Sequence, residues 1–457
     1  MNKTYSERTP AIEPQPSTSQ SGTSGSRRRA QSTINNLESS MCNAPDPLCL
    51  EFLLQRLAVS HSPTPDPRPL TPDPQLSPAQ WSEVVAIAAD HGLTPLLYAR
   101  LQENDARAHV PADVWERLRR AYFAGAVRSM SLYGELRKVL QRLRGSGIRV
   151  IVLKGAYLAE AVYRDAALRP MTDVDLMVPR ADAPAARAIL REMGGHHQQP
   201  DDVEWCWRTE SALPSVACLG LLIELHWTIA VPASPFTIDI PGFWSRARPA
   251  TIAGVEVLAP SPEDLLLHLC THASSKHCLQ DGLRPLCDVS ETIQRFRGET
   301  NWAEVAERAR EWGASRYVGL TLHLARSMLG AGVPETVLEQ LVPGGLDQRM
   351  LEAARRSILA RTGYGQWAPL FDLLGAESFG DKARLIWQRV FLSRGEMAAT
   401  YPASRNSRHL HLYYALRIRD VMRTYLSHTF RRGRLMVQTG RRDRNAALVD
   451  WLRSGKA

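Results

Sequence analysis

The segment Thr172-Asp173-Val174-Asp175-Leu176-Met177-Val178 places two acidic residues inside an apolar run. This composition predicts a β-strand over residues 174–178. Successive side chains of a strand point to opposite faces, so Asp173 and Asp175 leave the same face. Val174 and Leu176 enter the core behind them. The sequence therefore predicts two carboxylates held side by side.

Two carboxylates at this spacing favour a bound cation. Each carboxylate raises the pKa of the other, because two negative charges repel. A divalent metal ion bound by both carboxylates offsets this repulsion. Mg²⁺ fits because it takes hard oxygen ligands and shares its coordination shell with substrate phosphates, and Mn²⁺ is the alternative ion. The competing interpretation is that Asp173 and Asp175 form the solvated face of an edge strand.

A third acid, Glu224, lies inside the apolar run 221–227, which predicts another strand. A charge there is costly unless it is paired or bound to a metal ion. On a neighbouring strand Glu224 would lie beside the aspartates, and we assign Asp173 and Asp175 to two metal ions and Glu224 to one of them. A buried arginine is the alternative partner of Glu224. We interpret His226, on the same face, as a hydrogen-bonded structural histidine.

The apolar, β-branched run at residues 148–153 predicts a strand that ends at Lys154-Gly155, with a helix directly after it. Backbone N–H groups at a helix N-terminus, a residue without Cβ and a lysine charge together suit a triphosphate. We therefore predict that Lys154 and Gly155 bind a nucleotide, with Arg164 and Arg169 as further candidate phosphate contacts. The alternative for Lys154 is to neutralise an aspartate.

In their order along the chain, these motifs resemble a known family, the uncharacterised nucleotidyltransferases related to the polymerase-β-like superfamily. The family pattern runs strand, Lys-Gly, a helix with a Tyr, an Arg, and then Asp-Ile-Asp-Leu, a hydrophobic residue and Val. The matching positions here are Val152-Leu153-Lys154-Gly155, Tyr163, Arg169 and the segment 172–178. The match extends to residues 91–98, 224–227 and 261–269, and it covers roughly 77–300.

The resemblance implies an enzyme with a small mixed β-sheet flanked by helices, Mg²⁺ as cofactor and a nucleoside triphosphate, expected to be ATP, as substrate. The enzyme would transfer the nucleoside monophosphate to an unknown acceptor hydroxyl or phosphate and release pyrophosphate. Catalysis then falls to Asp173, Asp175 and Glu224. The wider superfamily has Gly-Ser where this chain has Lys154-Gly155, and its third carboxylate is more often aspartate.

Composition and periodicity divide the chain into four parts and predict an α+β fold. Residues 1–76 are a disordered tail rich in Ser, Thr, Pro, Gln and Gly, followed by a Pro-rich linker. We expect residues 77–145 to be a helical lead-in, and the resemblance implies that residues 146–260 form the nucleotidyltransferase core. Residues 261–457 are a helical C-terminal region.

Helices are predicted where apolar residues recur at helical spacing. Ser77 and Ser261 are suited to cap the helices that follow them, because a serine hydroxyl can accept a hydrogen bond from the first turn. The other predicted helices cover residues 93–101, 114–122, 130–143, 156–165 and 183–193.

Charge, cysteines and hydropathy limit the partners and the compartment. Lys and Arg number 56 against 47 Asp and Glu, and the excess is concentrated at residues 27–29 and 405–444. The basic C-terminal region is a candidate nucleic-acid contact, with a solvated surface as the alternative. Seven cysteines without a CxxC pair indicate neither disulfides nor a zinc ribbon. Without a long apolar run or a signal sequence, we expect a cytoplasmic protein that does not contact membrane.

Two other functions stay open from the sequence. One is a catalytically degenerate module that binds a nucleotide or a protein partner. The other is a tRNA- or toxin-type nucleotidyltransferase that modifies nucleic acid, which predicts salt-dependent binding. His268 and His272 stand four residues apart at metal-ligand spacing, and we interpret them as a packed helical face that lines the cleft.

Overall fold

The computed structural model describes residues 45–58, 76–103, 106–197, 210–232, 234–276 and 279–360, and the separate positions 203, 206–207, 397, 413–419 and 451–452. The predicted tail, most of the Pro-rich linker, most of the basic stretch 405–444 and His277 lie outside these residues. Every described residue after Pro45 belongs to one compact unit, Asp46–Ala457. Within the described residues, no helix is both long and apolar enough to cross a membrane.

The first described elements are helices. The first of them lies within residues 1–76, where the sequence predicts a disordered tail and a linker, and the others lie within the predicted helical lead-in. Ser77 Oγ accepts a hydrogen bond from Gln80 N at 3.3 Å, and Gln80 Oε1 accepts one from Ser77 N at 3.0 Å, forming a capping box. The helices are α1 Pro47–Leu57, α2 Pro78–Asp90, α3 Thr94–Glu103 and α4 Ala112–Gly145, with a 3₁₀ turn at Ala106–His109.

Helix α4 runs unbroken through 34 residues, where the sequence predicts two shorter helices. Gly125 lies between those two predictions, and a glycine inside a helix costs only about 1 kcal/mol. Ser129 Oγ donates to Ala166 O at 2.9 Å, and Tyr133 Oη donates to Ala156 O at 2.6 Å. These tertiary contacts hold the middle of α4 and cannot be read from spacing along the helix.

The strands are β1 Ile151–Val152, β2 Asp173–Met177, β3 His196–His197, β4 Val216–Cys218, β5 Leu221–His226, β6 Arg248–Ile252 and β7 Val255–Ala259. Within the described residues, these seven form one sheet in the order β3-β4-β5-β2-β1-β7-β6. The β2–β5 and β1–β7 pairs are parallel, whereas the other neighbours are antiparallel. A mixed sheet with surrounding helices confirms the predicted α+β fold class.

Two features of the sheet differ from the predictions. Strand β1 is shorter than the predicted strand over 148–153, although backbone hydrogen bonds continue its pairing by one residue on either side. The β6–β7 hairpin is absent from the sequence prediction. Its turn places Ala253 and Gly254 at φ 52° and 71°. Such a turn requires positive φ at both positions, and alanine is not a residue that signals it.

The chain between β1 and β2 begins with a short helix, α5 Lys154–Tyr157, that continues as a π-helical turn, Leu158–Val162. The predicted helix over 156–165 is therefore present but begins earlier and ends earlier. Lys154 starts it at φ 25°, in the left-handed region that few side chains adopt. Helix α6, Ala183–Glu192, follows β2 where the sequence predicts it.

The chain after β5 is mainly helical in the described residues. Ser261 Oγ accepts a hydrogen bond from Asp264 N at 3.2 Å, so the predicted cap is confirmed. The helices are α7 Ile240–Ser245, α8 Pro262–Thr271 with a π turn at His272–Lys276, α9 Arg284–Arg295, α10 Trp302–Glu311, α11 Ser315–Leu329, α12 Glu335–Leu341 and α13 Gln348–Ala360. Side chains of α9 and of the π turn contact the segment 154–169.

Candidate active site

Two of the predicted acids, Asp175 on β2 and Glu224 on β5, lie directly opposite each other on neighbouring parallel strands. Residues in register on neighbouring strands point to the same face, so both carboxylates lie on one side of the sheet. Asp173 is two residues earlier on β2 and shares that face. The Glu224 side chain is 27% exposed, whereas that of Asp175 is 7% exposed. Glu224 is therefore the more accessible carboxylate.

Asp175 is surrounded by basic groups. His226 Nε2 donates to Asp175 Oδ1 at 2.8 Å, and Lys154 Nζ lies 3.3 Å from the same oxygen. Burial on its own would raise the pKa of Asp175, but Lys154 and His226 outweigh it and hold that pKa well below its usual range. Asp175 is consequently ionised at neutral pH.

His226 lies between the two acids, with its Nε2 also 3.4 Å from Glu224 Oε2. Burial lowers the pKa of His226, and the hydrogen bonds to Asp175 and Glu224 reverse that effect and raise it above its usual value. Its Nδ1 is buried without a hydrogen-bond partner among the described residues. The hydrogen bond to Asp175 agrees with the structural role that the sequence suggests for His226. The ring of His226 also brings a nitrogen atom close to both acids.

The geometry of the acids fits a divalent cation. Asp175, Glu224 and His226 each offer one potential ligand atom, and these three atoms lie within 4.8 Å of one another. In the part of the chain that the structure describes, Asp173 is outside this group, and its Oδ1 accepts a hydrogen bond from Thr172 Oγ1 at 3.3 Å. Carboxylate oxygens suit Mg²⁺ or Mn²⁺. The structure thus brings two of the three predicted metal ligands together, with the third on the same strand face.

Lys154, a predicted nucleotide contact, points into this cluster. Its side chain is buried, and Nζ lies 3.3 Å from Asp175 Oδ1 and 3.1 Å from His272 Nε2. The structure therefore shows the alternative that the sequence left open, in which Lys154 neutralises an aspartate. Its role towards a phosphate stays a prediction.

Gly155 and Arg169, the other two predicted nucleotide contacts, lie against each other. A Cβ built on Gly155 would be 3.1 Å from Arg169 Nη1 and 3.7 Å from Asp173 O. The missing side chain of Gly155 thus makes room for an arginine and for the backbone of β2. The sequence instead predicts that a phosphate approaches at this position.

Arg169 forms a two-pronged ion pair with Asp288 on α9, a residue that the sequence analysis did not identify. Arg169 Nε and Nη2 donate to Asp288 Oδ1 and Oδ2, each at 2.8 Å. One sequence feature indicates that Asp288 has a buried partner: it is an acid between the apolar residues Cys287 and Val289. The same feature indicates a partner for Glu224. The pairing of Asp288 with Arg169, 119 residues away, has no signal in the sequence.

His268 on α8 and His272, the first residue of the following π turn, lie near Asp175 and Lys154. Their rings are 6.0 Å apart in an edge-to-face arrangement, and His268 is buried. His268 contributes to the lowered pKa of Asp175, and His272 contacts Lys154. The two histidines therefore pack beside the acidic cluster as the predicted helical face.

Residues 77–330 match the model of a family described as uncharacterised nucleotidyltransferases. This chain belongs to that nucleotidyltransferase family. The match covers more than half of the chain and confirms the resemblance seen in the sequence motifs. The nucleotidyltransferase is accordingly a transferase, and the family supports transfer of a nucleoside monophosphate in general terms.

Two solved structures are similar to parts of the nucleotidyltransferase. One is the solution structure of the antibiotic-resistance factor ANT(2″)-Ia, with 17% identity, a TM-score of 0.29, and coverage of 43% of this chain and 97% of that one. The other is the crystal structure of ANT(2″)-Ia with adenylyl-2″-tobramycin, with 16% identity, a TM-score of 0.30, and coverage of 41% and 98%. No curated protein matches the sequence.

Proposed function

We propose that the protein transfers a nucleoside monophosphate from a nucleoside triphosphate, with ATP as the expected donor, to an acceptor hydroxyl or phosphate. The acceptor oxygen forms a bond to the α-phosphorus and loses its proton. The bond from the α-phosphorus to the bridging oxygen breaks, and pyrophosphate leaves with the electron pair. The observation that carries this proposal is the in-register pairing of Asp175 with Glu224 on one face of the sheet.

In this proposal Asp173, Asp175 and Glu224 hold Mg²⁺ or Mn²⁺. A bound divalent cation would neutralise phosphate charge and lower the pKa of the attacking hydroxyl. The lowered pKa of Asp175 keeps its carboxylate ready for ligation. Glu224 is more exposed than Asp175 and therefore suits the side of the site from which an acceptor approaches.

Lys154, Gly155 and Arg169 are the proposed nucleotide contacts. The Lys154 ammonium and a divalent cation compete for Asp175 Oδ1, because like charges at such distances repel. A triphosphate beside the Lys154-Gly155 turn would offer the ammonium a second anionic partner. Binding of the metal ion and of the nucleotide should therefore be coupled through Lys154.

Labelling with nucleotides tests this function. The purified protein is incubated with cell extract, Mg²⁺ or Mn²⁺, and each nucleoside triphosphate labelled at the α-phosphate, and the labelled acceptor is identified. We expect one labelled product that requires the metal ion and is lost in Asp175→Asn. The control is Asp264→Asn, which changes another buried aspartate that is paired with Arg246 and Arg308.

Equal labelling by Asp175→Asn and the wild-type protein would overturn the proposal. Binding of a nucleoside triphosphate without any transfer would favour the catalytically degenerate module. Nucleic acid as the acceptor stays a further prediction, because most of the basic C-terminal stretch lies outside the described residues. A labelled RNA whose binding weakens steeply with salt would support it.

A further inference from the structure

A buried polar network connects α9 with the segment between α5 and β2. Asp288 accepts hydrogen bonds from Arg169 Nε and Nη2, and its Oδ1 also accepts one from Tyr163 Oη at 2.9 Å. The side chains of Arg169 and Asp288 are 12% and 5% exposed. Two parallel hydrogen bonds fix the plane of a guanidinium as well as its position. Arg169 is therefore held in one orientation.

The third nitrogen of Arg169 borders the Lys154-Gly155 turn. Asp288 engages Nε and Nη2, which leaves Nη1 as the edge that lies against Gly155. Lys154, the adjacent residue, contacts Asp175, so Nη1 lies beside the same turn as the carboxylate site. The two N–H groups on Nη1 are donors of the type that binds phosphate oxygens.

Asp288 also compensates the buried charge of Arg169. Burial works against a charged guanidinium, but the attraction of Asp288 outweighs burial and raises the pKa of Arg169. A buried arginine without this partner would carry an uncompensated charge. One carboxylate thus both compensates the charge of Arg169 and fixes the direction of its guanidinium.

We propose that Asp288 is a positioning residue for nucleotide binding: it holds Arg169 so that Nη1 donates to the β- or γ-phosphate of the triphosphate at the Lys154-Gly155 turn. This inference rests on the proposed function. Lys154 supplies a point charge, whereas Arg169 supplies a directional donor. Because Asp288 belongs to α9, a helix outside the sheet orients a side chain at the nucleotide site.

The substitution Asp288→Asn tests this role, because asparagine has nearly the same side-chain shape as aspartate. Its NH₂ group cannot accept a hydrogen bond, so one of the two hydrogen bonds from Arg169 is lost. Binding is measured by titration calorimetry with Mg²⁺ and α,β-methylene-ATP, which cannot be cleaved at the α-phosphorus. We expect the affinity to fall by about tenfold, the lower end of the effect that loss of an orienting outer partner has at metal sites. Affinity for AMP should fall much less, since AMP lacks the β- and γ-phosphates.

Asp264→Asn is the matched control for a purely structural effect. Asp264 is fully buried and accepts hydrogen bonds from Arg246 Nε at 2.9 Å and from Arg308 Nη1 at 3.0 Å. Its partners lie outside the proposed nucleotide contacts. We expect Asp264→Asn to lower the unfolding temperature and to leave the affinity for α,β-methylene-ATP unchanged.

A double-mutant cycle shows whether Asp288 acts through Arg169. Arg169→Lys keeps the charge but loses the two-pronged geometry. If Asp288 acts through Arg169, the double variant binds the analogue as weakly as Arg169→Lys alone, whereas independent effects multiply. Arg169→Lys also keeps the proposal testable if Asp288→Asn fails to fold, because unchanged affinity in Arg169→Lys would overturn it.

The outcomes separate this inference from the proposed function. If the wild-type protein binds α,β-methylene-ATP and Asp288→Asn binds it equally well, the positioning role is wrong and the proposed function stands. Proportional losses for AMP and the analogue, or the same loss in Asp264→Asn, would also contradict the positioning role. If the wild-type protein binds no nucleoside triphosphate with Mg²⁺ or Mn²⁺, the proposed function itself fails.

Discussion

Replacing Lys154 by methionine would remove the ammonium beside Asp175 and retain most of the side-chain volume. The two charged atoms are 3.3 Å apart, which corresponds to an attraction of about 5 kcal/mol at an effective dielectric constant of about 20. The burial of the ammonium opposes part of this attraction, and Asp175 keeps its hydrogen bond from His226. We expect the free energy of unfolding to fall by about 3 kcal/mol, the lower end for breaking a buried ion pair.

The same substitution should strengthen the binding of a divalent cation, because the ammonium no longer competes for Asp175. Urea denaturation with and without MnCl₂ measures both effects. We expect Mn²⁺ to raise the free energy of unfolding more in Lys154→Met than in the wild-type protein. Lys138→Met is the control, since the exposed Lys138 pairs with Glu135 at 2.9 Å and should contribute at most about 1 kcal/mol.

A loss of stability in Lys154→Met no larger than in Lys138→Met would refute the calculated strength of the ion pair. Weaker stabilisation by Mn²⁺ in Lys154→Met than in the wild-type protein would refute the competition. It would indicate that Lys154 supports cation binding.

Gly155→Ala places a Cβ 3.1 Å from Arg169 Nη1 and should weaken nucleotide binding in calorimetry. Gly134→Ala, where a Cβ meets nothing within 4 Å, should leave binding unchanged and raise stability by about 1 kcal/mol. The raised pKa of His226 means that its contribution to stability is complete below about pH 6.5 and is lost as the pH rises through the folded-state value. The stability difference between wild type and His226→Gln in urea should shrink as the pH rises above about 6.5, and a constant difference would contradict this. The lowered pKa of Asp175 has the opposite sign, so its contribution is present above about pH 4 and is lost only in stronger acid.

The sequence predicts those parts of the site that depend on local periodicity. A period of two residues places Asp173 and Asp175 on one face whatever the neighbouring strands are. An acid within an apolar strand, as at Glu224, indicates a partner across the sheet. Serine caps at Ser77 and Ser261 are local in the same way, because donor and acceptor are three residues apart.

Contacts between distant segments are the part that the sequence does not predict. Arg169 was assigned to a phosphate on local grounds, yet its closest charged partner, Asp288, is 119 residues away and belongs to another helix. The Lys154 side chain had two plausible anionic partners, and only the fold places Asp175 3.3 Å from it. The sequence thus proposes residues for the site, but it does not predict the pairs that these residues form in the structure.

The backbone conformation also has parts that the local sequence predicts and parts that it does not. Helix α4 is continuous because the side chains of Ser129 and Tyr133 donate hydrogen bonds to backbone carbonyls of another segment. The periodicity of apolar residues along α4 does not predict these hydrogen bonds. The β6–β7 turn puts Ala253 at φ 52°, a conformation that alanine does not signal. Ala253 N donates to Glu160 Oε2 at 2.9 Å, so in both cases a tertiary contact accompanies a conformation that the local sequence does not predict.

The central claim is that Asp175 and Glu224 act as one cation site in front of a nucleotide. Electron paramagnetic resonance of Mn²⁺, titrated into the protein with α,β-methylene-ATP, measures this once a matched titration of the nucleotide alone is subtracted, because free Mn²⁺ loses its signal on binding. We predict that the wild-type protein takes up Mn²⁺ and that Asp175→Asn and Glu224→Gln each lose most of this uptake, while Glu192→Gln, at an exposed ion pair with Arg142, retains it. Uptake by either Asp175→Asn or Glu224→Gln at the wild-type level would contradict the claim.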